Sequence, residues 1–184
     1  MRVISGTSRG TKLKSLEGDS TRPTLDRVKE ALFNIISTHV YDSTVLDLFS
    51  GSGALAVEAL SRGAIKAIVC DNNKKAIQII NDNLDKTRLI QKAIVINDDY
   101  MNCLNVLKNK DMKFNLIFLD PPYSKELGIK AIQEISNLDL LNQDGIIILE
   151  TDKTENVPTT IGIYKKSTER IYGRVKINFF EQGN

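Results

Sequence analysis

Short apolar runs alternate with amphipathic stretches over most of the chain after residue 43. Five such runs are almost continuously apolar, which is typical of strands buried on both faces of a sheet. Between them, apolar residues recur at helical spacing. The predicted strands cover 44–49, 66–71, 93–96, 114–119 and 145–150, and the predicted helices 54–62, 74–86, 102–108 and 125–135. This alternation predicts an α/β fold whose parallel sheet is covered by helices on both faces.

The two ends of the chain depart from this alternation. Residues 161–169 and 175–180 are β-type runs joined near Gly173, which predicts an antiparallel hairpin at one edge of a mostly parallel, seven-stranded sheet. Near the other end, a helix is predicted from Thr24. Before it, the polar and glycine-rich residues 1–22 predict a small β-hairpin extension, and 23–184 form the main domain.

A glycine-rich turn, Gly51-Ser52-Gly53, follows the first predicted strand. Asp71 ends the second strand, 20 residues after Gly51. This spacing matches the fingerprint of proteins that bind adenosine ligands at a sheet edge, with the acid on the ribose hydroxyls. By itself it fits NAD and S-adenosylmethionine equally well.

Three observations favour S-adenosylmethionine. Asp47 precedes the turn, where a carboxylate suits a cationic amino group. Asp98 or Asp99, after the third strand, can accept a hydrogen bond from an adenine amine, and the sequence leaves open which of them does. The run Asp-Pro-Pro-Tyr after the fourth strand has no task in hydride transfer. The cofactor-binding candidates are Asp47, Phe49, Gly51, Gly53, Asp71, Asn72, Asp98, Asp99 and Tyr100.

The run Asp120-Pro121-Pro122-Tyr123 closes the fourth predicted strand. Each proline fixes its own φ and lacks an N–H, so the backbone is stiff at this point. A carboxylate oxygen of Asp120 and the Pro121 carbonyl can accept both N–H groups of a planar amine, and the Tyr123 ring can stack on the ring that carries it. These four residues are the catalytic candidates.

The charge, the cysteine and histidine content and the apolar runs of the chain limit the kinds of protein it can be. Net charge is only +2, but basic residues gather in the first 22 and the last 25 residues, as in proteins that bind phosphates. Two isolated cysteines and one histidine show no metal-ligand spacing, so we expect no metal. The sequence has no apolar run of spanning length and no signal peptide, which predicts a cytoplasmic protein without a membrane association.

With these residues identified, the chain resembles the class I S-adenosylmethionine-dependent methyltransferases, whose fold is Rossmann-like. Within them it is similar to the RsmD-type 16S rRNA guanine-N2 methyltransferases. The resemblance extends over almost the whole chain. It is carried by residues 2–13, by RPTLDRVKEALF at 22–33, by DLFSGSGALAVEALSRG at 47–63 and by DPPY at 120–123.

The resemblance implies methyl transfer to the exocyclic N2 of a guanine in 16S rRNA, within an assembled or partly assembled small ribosomal subunit. We expect a monomer. When both N–H bonds are accepted by Asp120 and Pro121, the amine lone pair becomes localised and can attack the methyl group in line. Tyr123 would stack on the flipped base. The candidates for phosphate contact are Arg9, Lys12, Arg22 and Arg27.

Three alternatives remain open at this stage. Another methyltransferase could act on DNA adenine N6 or on protein glutamine, because related motifs serve those amines. A ribosome-assembly factor could keep the fold without catalysis. An NAD-dependent oxidoreductase would share the glycine turn, and a binding titration of the two cofactors separates it from a methyltransferase.

Overall fold

The structure is a computed structural model that describes residues 1–16, 23–122 and 126–183, without the side chains of 23–25. The strands are β1 (Thr44–Asp47), β2 (Lys66–Asp71), β3 (Ala93–Asn97), β4 (Phe114–Leu119), β5 (Leu141–Asp152), β6 (Thr160–Ile161), β7 (Tyr164–Tyr172) and β8 (Val175–Gln182). The helices are α1 (Pro23–Ile35), α2 (Ser37–Val40), α3 (Ala54–Ser61), α4 (Lys74–Lys86), α5 (Tyr100–Asn109) and α6 (Leu127–Leu138).

One sheet contains all of these strands, in the order β3-β2-β1-β4-β5-β8-β7-β6. Strands β1 to β5 are parallel, and β8 pairs antiparallel with β5. The inner parallel strands β1, β2 and β4 are buried almost throughout, because helices cover both faces, whereas β3 at the edge of the sheet is half-exposed. This confirms the α/β class, the mostly parallel sheet and the C-terminal antiparallel hairpin.

The sheet has eight strands in the described ranges, where the sequence predicts seven. The run predicted over 161–169 divides at Gly162, whose φ is +57°. A Cβ at Gly162 would lie 2.3 Å from the Ser136 Oγ, and that hydroxyl accepts a hydrogen bond from the Ile163 N–H at 3.1 Å. The chain therefore turns against α6, and β6 and β7 form a second, smaller hairpin.

Two apolar layers enclose the sheet. On one face, α1, α3 and α4 pack on the strands, and the ring centroids of Phe33 and Phe118 lie 5.7 Å apart. On the other face, α5 and α6 bury residues such as Leu104, Ile117 and Ile135. Within the described ranges, no helix combines the length and the apolar character that a bilayer span requires.

Residues 1–16 pack on the first of these faces. One antiparallel bridge, between Arg2 and Lys12, replaces the longer hairpin pairing that the sequence suggests. Val3 and Leu13 are buried in the same apolar cluster as α1 and α3. Gly6 has a φ of +83° and adjoins α3 so closely that a Cβ would lie 1.8 Å from the Ser61 carbonyl oxygen.

A buried carboxylate, Glu58 on α3, holds this segment in place. Its Oε2 accepts hydrogen bonds from the Ile4 N–H at 2.8 Å and lies 3.2 Å from the Lys29 Nζ. Its Oε1 accepts from the Ser5 N–H at 3.0 Å and from the Arg62 Nε at 2.8 Å. Burial lowers the pKa of Lys29, which Glu58 opposes. One carboxylate therefore joins the N-terminal segment, α1 and α3.

Replacement of Glu58 by glutamine should lower the free energy of unfolding by roughly 3 kcal/mol, because it leaves Lys29 buried without its counter-charge. Urea unfolding measures this loss. Glu30→Gln, on the exposed side of α1, is the matched control and should change stability by less than about 0.5 kcal/mol. Equal losses in the two variants would contradict the assignment of Glu58 as the anchor.

Candidate active site

The carboxyl ends of the parallel strands meet at one edge of the sheet, and each of the first four strands, β1 to β4, is followed or closed by an acid. Such an edge is where open α/β sheets bind ligands. The acids are Asp47 on β1, Asp71 on β2, Asp98 after β3 and Asp120 after β4. Adjacent strands thus bring together residues far apart in the sequence.

The glycine turn between β1 and α3 is shaped to admit a ligand. Gly51 and Gly53 have φ values of +56° and +74°, which side chains rarely adopt. The Gly53 N–H donates to the Ser50 carbonyl at 2.8 Å and closes the turn. A Cβ at Gly51 would meet nothing within 4 Å, so open space lies beside this backbone. An adenosine ligand fits here, because the turn leaves the room that a side chain would fill.

Asp71 fixes the turn from the neighbouring strand. Its Oδ2 accepts a hydrogen bond from the Gly51 N–H at 2.9 Å, and its Oδ1 accepts from the Asn73 N–H at 2.8 Å. Asn73 caps α4 by accepting from the Lys75 N–H. Asn72, between the two, is exposed. The carboxylate thus orders the turn and the start of α4, and it remains half-exposed beside them.

Asp47 is buried beneath the turn. One of its oxygens accepts a hydrogen bond from the Ala56 N–H at 3.2 Å, in the first turn of α3. Burial raises its pKa, with smaller contributions from the negative charges of Asp120 and Asp71, to about 7. A cation that enters this edge would stabilise the ionised form of Asp47 against burial and against the neighbouring negative charges. Asp47 is therefore suited to attract a cation.

The raised pKa of Asp47 predicts a specific pH dependence of stability. The contribution of Asp47 to stability is full below the usual pKa of 3.8 and is lost as the pH rises from there through about 7, because the unfolded chain releases the proton that the folded protein still holds. Between pH 5 and pH 8, the wild-type protein should lose about 2–3 kcal/mol of unfolding free energy relative to Asp47→Asn. Urea unfolding at both pH values checks this. Parallel pH profiles would contradict it.

Asp98 and Asp99 lie after β3, and both contact the start of α5. Asp99 is the N-cap, and its Oδ1 accepts from the Met101 and Asn102 N–H groups at 2.9 and 3.1 Å. The Asp98 Oδ1 accepts from the Asn102 side chain at 2.9 Å. Asp98 is half-buried and Asp99 is exposed. Each acid thus uses its Oδ1 for two hydrogen bonds, and we take Asp98, the less exposed of the two, as the candidate for a ligand contact.

Two aromatic candidates pair beside these acids. The rings of Phe49 and Tyr100 have centroids 5.5 Å apart and are inclined by 44°. Phe49 follows β1 and Tyr100 begins α5, so the pair joins two strand ends across the edge. Both are half-buried, and together they form an apolar wall.

Asp120, Pro121 and Pro122 leave the end of β4 at this edge. Asp120 is exposed, and its charge acts on the pKa of Asp47. Pro121 is backed by α6, because a Cβ at Gly128 would lie 3.4 Å from its Cγ. The absence of a side chain at Gly128 lets the helix approach and support the proline. Tyr123 lies outside the described residues.

Sequence reasoning missed Glu150, which ends the apolar part of β5. Leu149, before it, pairs with Leu119, which precedes Asp120. Burial and, to a smaller extent, the charge of Asp120 raise the pKa of Glu150 to about 8. The sequence carried a signal, because Glu150 closes the strand predicted over 145–150 as Asp71 closes the one predicted over 66–71. Only the strand order shows that it adjoins Asp120.

Two of the basic candidates, Arg9 and Lys12, lie away from this edge. The Ser8 hydroxyl donates to the carbonyl of Thr87, which caps α4, so neighbouring Arg9 lies by the C-terminal end of that helix. The Lys12 carbonyl accepts from Lys86 at 2.8 Å, in the last turn of α4. Helix α4 has 13 residues and starts at the edge where the carboxyl ends of the strands meet. Arg9 and Lys12, at its other end, therefore lie roughly 20 Å from that edge along the helix. Arg27 is exposed on α1, and Arg22 lies outside the described residues.

Comparison with known proteins gives similar chains over the full length. The family model described as "Conserved hypothetical protein 95" matches residues 1–181. The chain is 40% identical to the YlbH protein of Bacillus subtilis over 183 residues, which is 99% of each chain. It is 32% identical to "Ribosomal RNA small subunit methyltransferase D" of Escherichia coli, over 99% of this chain and 90% of that one. A solved structure of the Escherichia coli protein yhhF superposes with a TM-score of 0.85 at 29% identity, covering 99% and 97% of the two chains.

Proposed function

This chain belongs to the Conserved hypothetical protein 95 family, and from that premise we propose that it transfers a methyl group from S-adenosylmethionine to the exocyclic N2 of a guanine in 16S rRNA. The substrate class comes from the similarity to the Escherichia coli small-subunit rRNA methyltransferase. The observation that carries the proposal is the position of Asp120 and Pro121, which leave β4 at the edge that also holds the glycine turn.

The residues present fit the cofactor. Gly51 offers an open backbone, Asp71 offers a half-exposed carboxylate for the ribose hydroxyls, and Asp47 offers a buried charge for the amino group. Asp98 is the candidate for the adenine amine, and Phe49 with Tyr100 forms an apolar wall beside it. When bound, S-adenosylmethionine supplies an electrophilic methyl group.

The remaining chemistry is positioning, together with the loss of one amine proton, which the Asp120 carboxylate can accept as the N–C bond forms. Asp120 and the Pro121 carbonyl accept the two N–H groups of the guanine amine, which removes its lone pair from the ring system and directs it towards the cofactor side. Gly128 allows α6 to support Pro121, so the acceptor stays in place. Preorganised acceptors of this kind need no rearrangement during the reaction. We assign to Tyr123 the stacking of the base.

The test is methyl transfer from labelled S-adenosylmethionine to small ribosomal subunits from cells that lack the gene, with DNA and total protein assayed in parallel. After nucleoside digestion, label in N2-methylguanosine is the expected result. Label in methyladenine or in protein would support methyl transfer from S-adenosylmethionine but contradict guanine N2 as the target. Cofactor binding without transfer to any of the three would reject the enzymatic function.

The basic residues should contact RNA phosphates outside the active site. Neutralising Arg9, Lys12 or Arg27 one at a time should reduce the slope of log affinity against log salt by about 1 for each lost contact. Filter binding to small-subunit RNA at several salt concentrations measures the slope. Lys108→Gln, exposed on α5 at the other face of the sheet, is the control and should leave the slope unchanged. An unchanged slope in all variants would show that Arg9, Lys12 and Arg27 do not contact RNA phosphates.

A further inference from the structure

Glu150 has no role in the function proposed above, yet it lies beside the residue that carries it. Leu119 and Leu149 are paired on adjacent parallel strands, and Asp120 and Glu150 are the next residues of each. Adjacent strands lie about 4.8 Å apart. Side chains alternate along a strand, so Glu150 belongs to the sheet face that carries Ile148, and the charge of Asp120 acts on its carboxyl group.

We propose that Glu150 is a specificity residue that binds the Watson–Crick edge of the target guanine, with an uncharged carboxyl group paired to the N1–H and O6 of the base. The proposal rests on the proposed guanine N2 methylation and names a further contact of the same site. A neutral carboxyl group has an acceptor oxygen and a donor hydroxyl. The N1–H and O6 of guanine offer the matching donor and acceptor, next to the N2 amine that Asp120 holds.

The electrostatics of the edge favour this division of roles. Two adjacent carboxyl groups do not both ionise readily, and the more buried one keeps its proton. Asp120 is exposed, whereas Glu150 is half-buried and its pKa is raised to about 8 by burial and by Asp120. Across the sheet, β8 places the apolar Ile177 opposite Glu150. Further along the edge, the nearest acid on β1 is Asp47, whose pKa is also raised. Near neutral pH, Glu150 therefore holds a proton that it can donate.

The experiment compares two bases at the mapped target position of reconstituted small subunits. 2-Aminopurine keeps the N2 amine of guanine but lacks N1–H and O6. The wild-type enzyme should prefer guanine by roughly 100-fold in kcat/KM, because a buried group left unpaired is costly. Glu150→Ala should lower kcat/KM for guanine and lose most of that preference. Glu150→Gln supplies an amide acceptor and donor in the same places, so it should stay within about threefold of wild type on guanine.

The controls separate this contact from folding and from the proposed function. Asp144→Ala removes an exposed acid on the same strand and should change neither rate. Cofactor affinity and thermal unfolding verify that each variant is folded. If Glu150→Ala fails to fold, two measurements still test the contact. They are the preference of the wild-type enzyme for guanine over 2-aminopurine and the kcat/KM of Glu150→Gln on guanine.

Each other outcome overturns the assignment. A full guanine preference in Glu150→Ala, or none in wild type, rejects contact with the base edge. Glu150→Gln as impaired as Glu150→Ala on guanine rejects the uncharged carboxyl. Wild-type enzyme that forms no N2-methylguanosine rejects the proposed function itself, which the two-base comparison distinguishes from a failure at Glu150.

Discussion

Replacement of Asp120 by alanine should abolish methyl transfer while S-adenosylmethionine still binds. In the proposed function, this carboxylate, which follows β4, accepts an N–H of the target amine. Loss of one preorganised partner of a reacting group costs roughly 10²–10³ in rate, and the loss is larger when the partner also orients the substrate. Asp120→Asn keeps the shape and one acceptor, so it should retain more activity than alanine.

Single-turnover transfer to small subunits measures the rate, and calorimetric titration measures cofactor binding. The matched control is Asp144→Ala, which removes an exposed carboxylate elsewhere on the sheet. Full turnover by Asp120→Ala would reject the mechanism. If Asp120→Ala also loses cofactor binding, Asp120 contacts the cofactor rather than the target amine.

Replacement of Gly51 by alanine should weaken S-adenosylmethionine binding by at least about 30-fold, which corresponds to about 2 kcal/mol. The added Cβ would occupy the open space beside the turn, where we place the cofactor. The positive φ of +56° adds strain of about 1–2 kcal/mol to the folded protein. The variant should therefore lose both stability and affinity.

The chain provides a close control for the strain. Gly173, in the turn between β7 and β8, has a φ of +64°, and a Cβ there would also meet nothing within 4 Å. Gly173→Ala should lose a similar amount of unfolding free energy but keep its cofactor affinity. If both variants bind the cofactor equally well, the space beside Gly51 is not the cofactor site.

Local pattern was enough for the parts of the fold that depend on neighbours in sequence. The α4 boundaries, Lys74–Lys86, agree with the prediction, because an amphipathic period with an asparagine cap is a local property. The split at Gly162 was not predicted. It depends on Ser136 of α6, a residue of another element, which no local pattern includes.

The features of the candidate site also fall into those that the local sequence predicts and those that depend on the tertiary structure. By itself, the sequence determined the order of strands and helices, the glycine turn and the stiff run from Asp120 to Pro122, since backbone preference and periodicity are encoded by adjacent residues. Only the tertiary structure decided that Glu150 adjoins Asp120, that Gly128 lets α6 support Pro121, and that Glu58 anchors residues 1–16. Those contacts follow from strand order and packing, which bring together residues that are far apart along the chain.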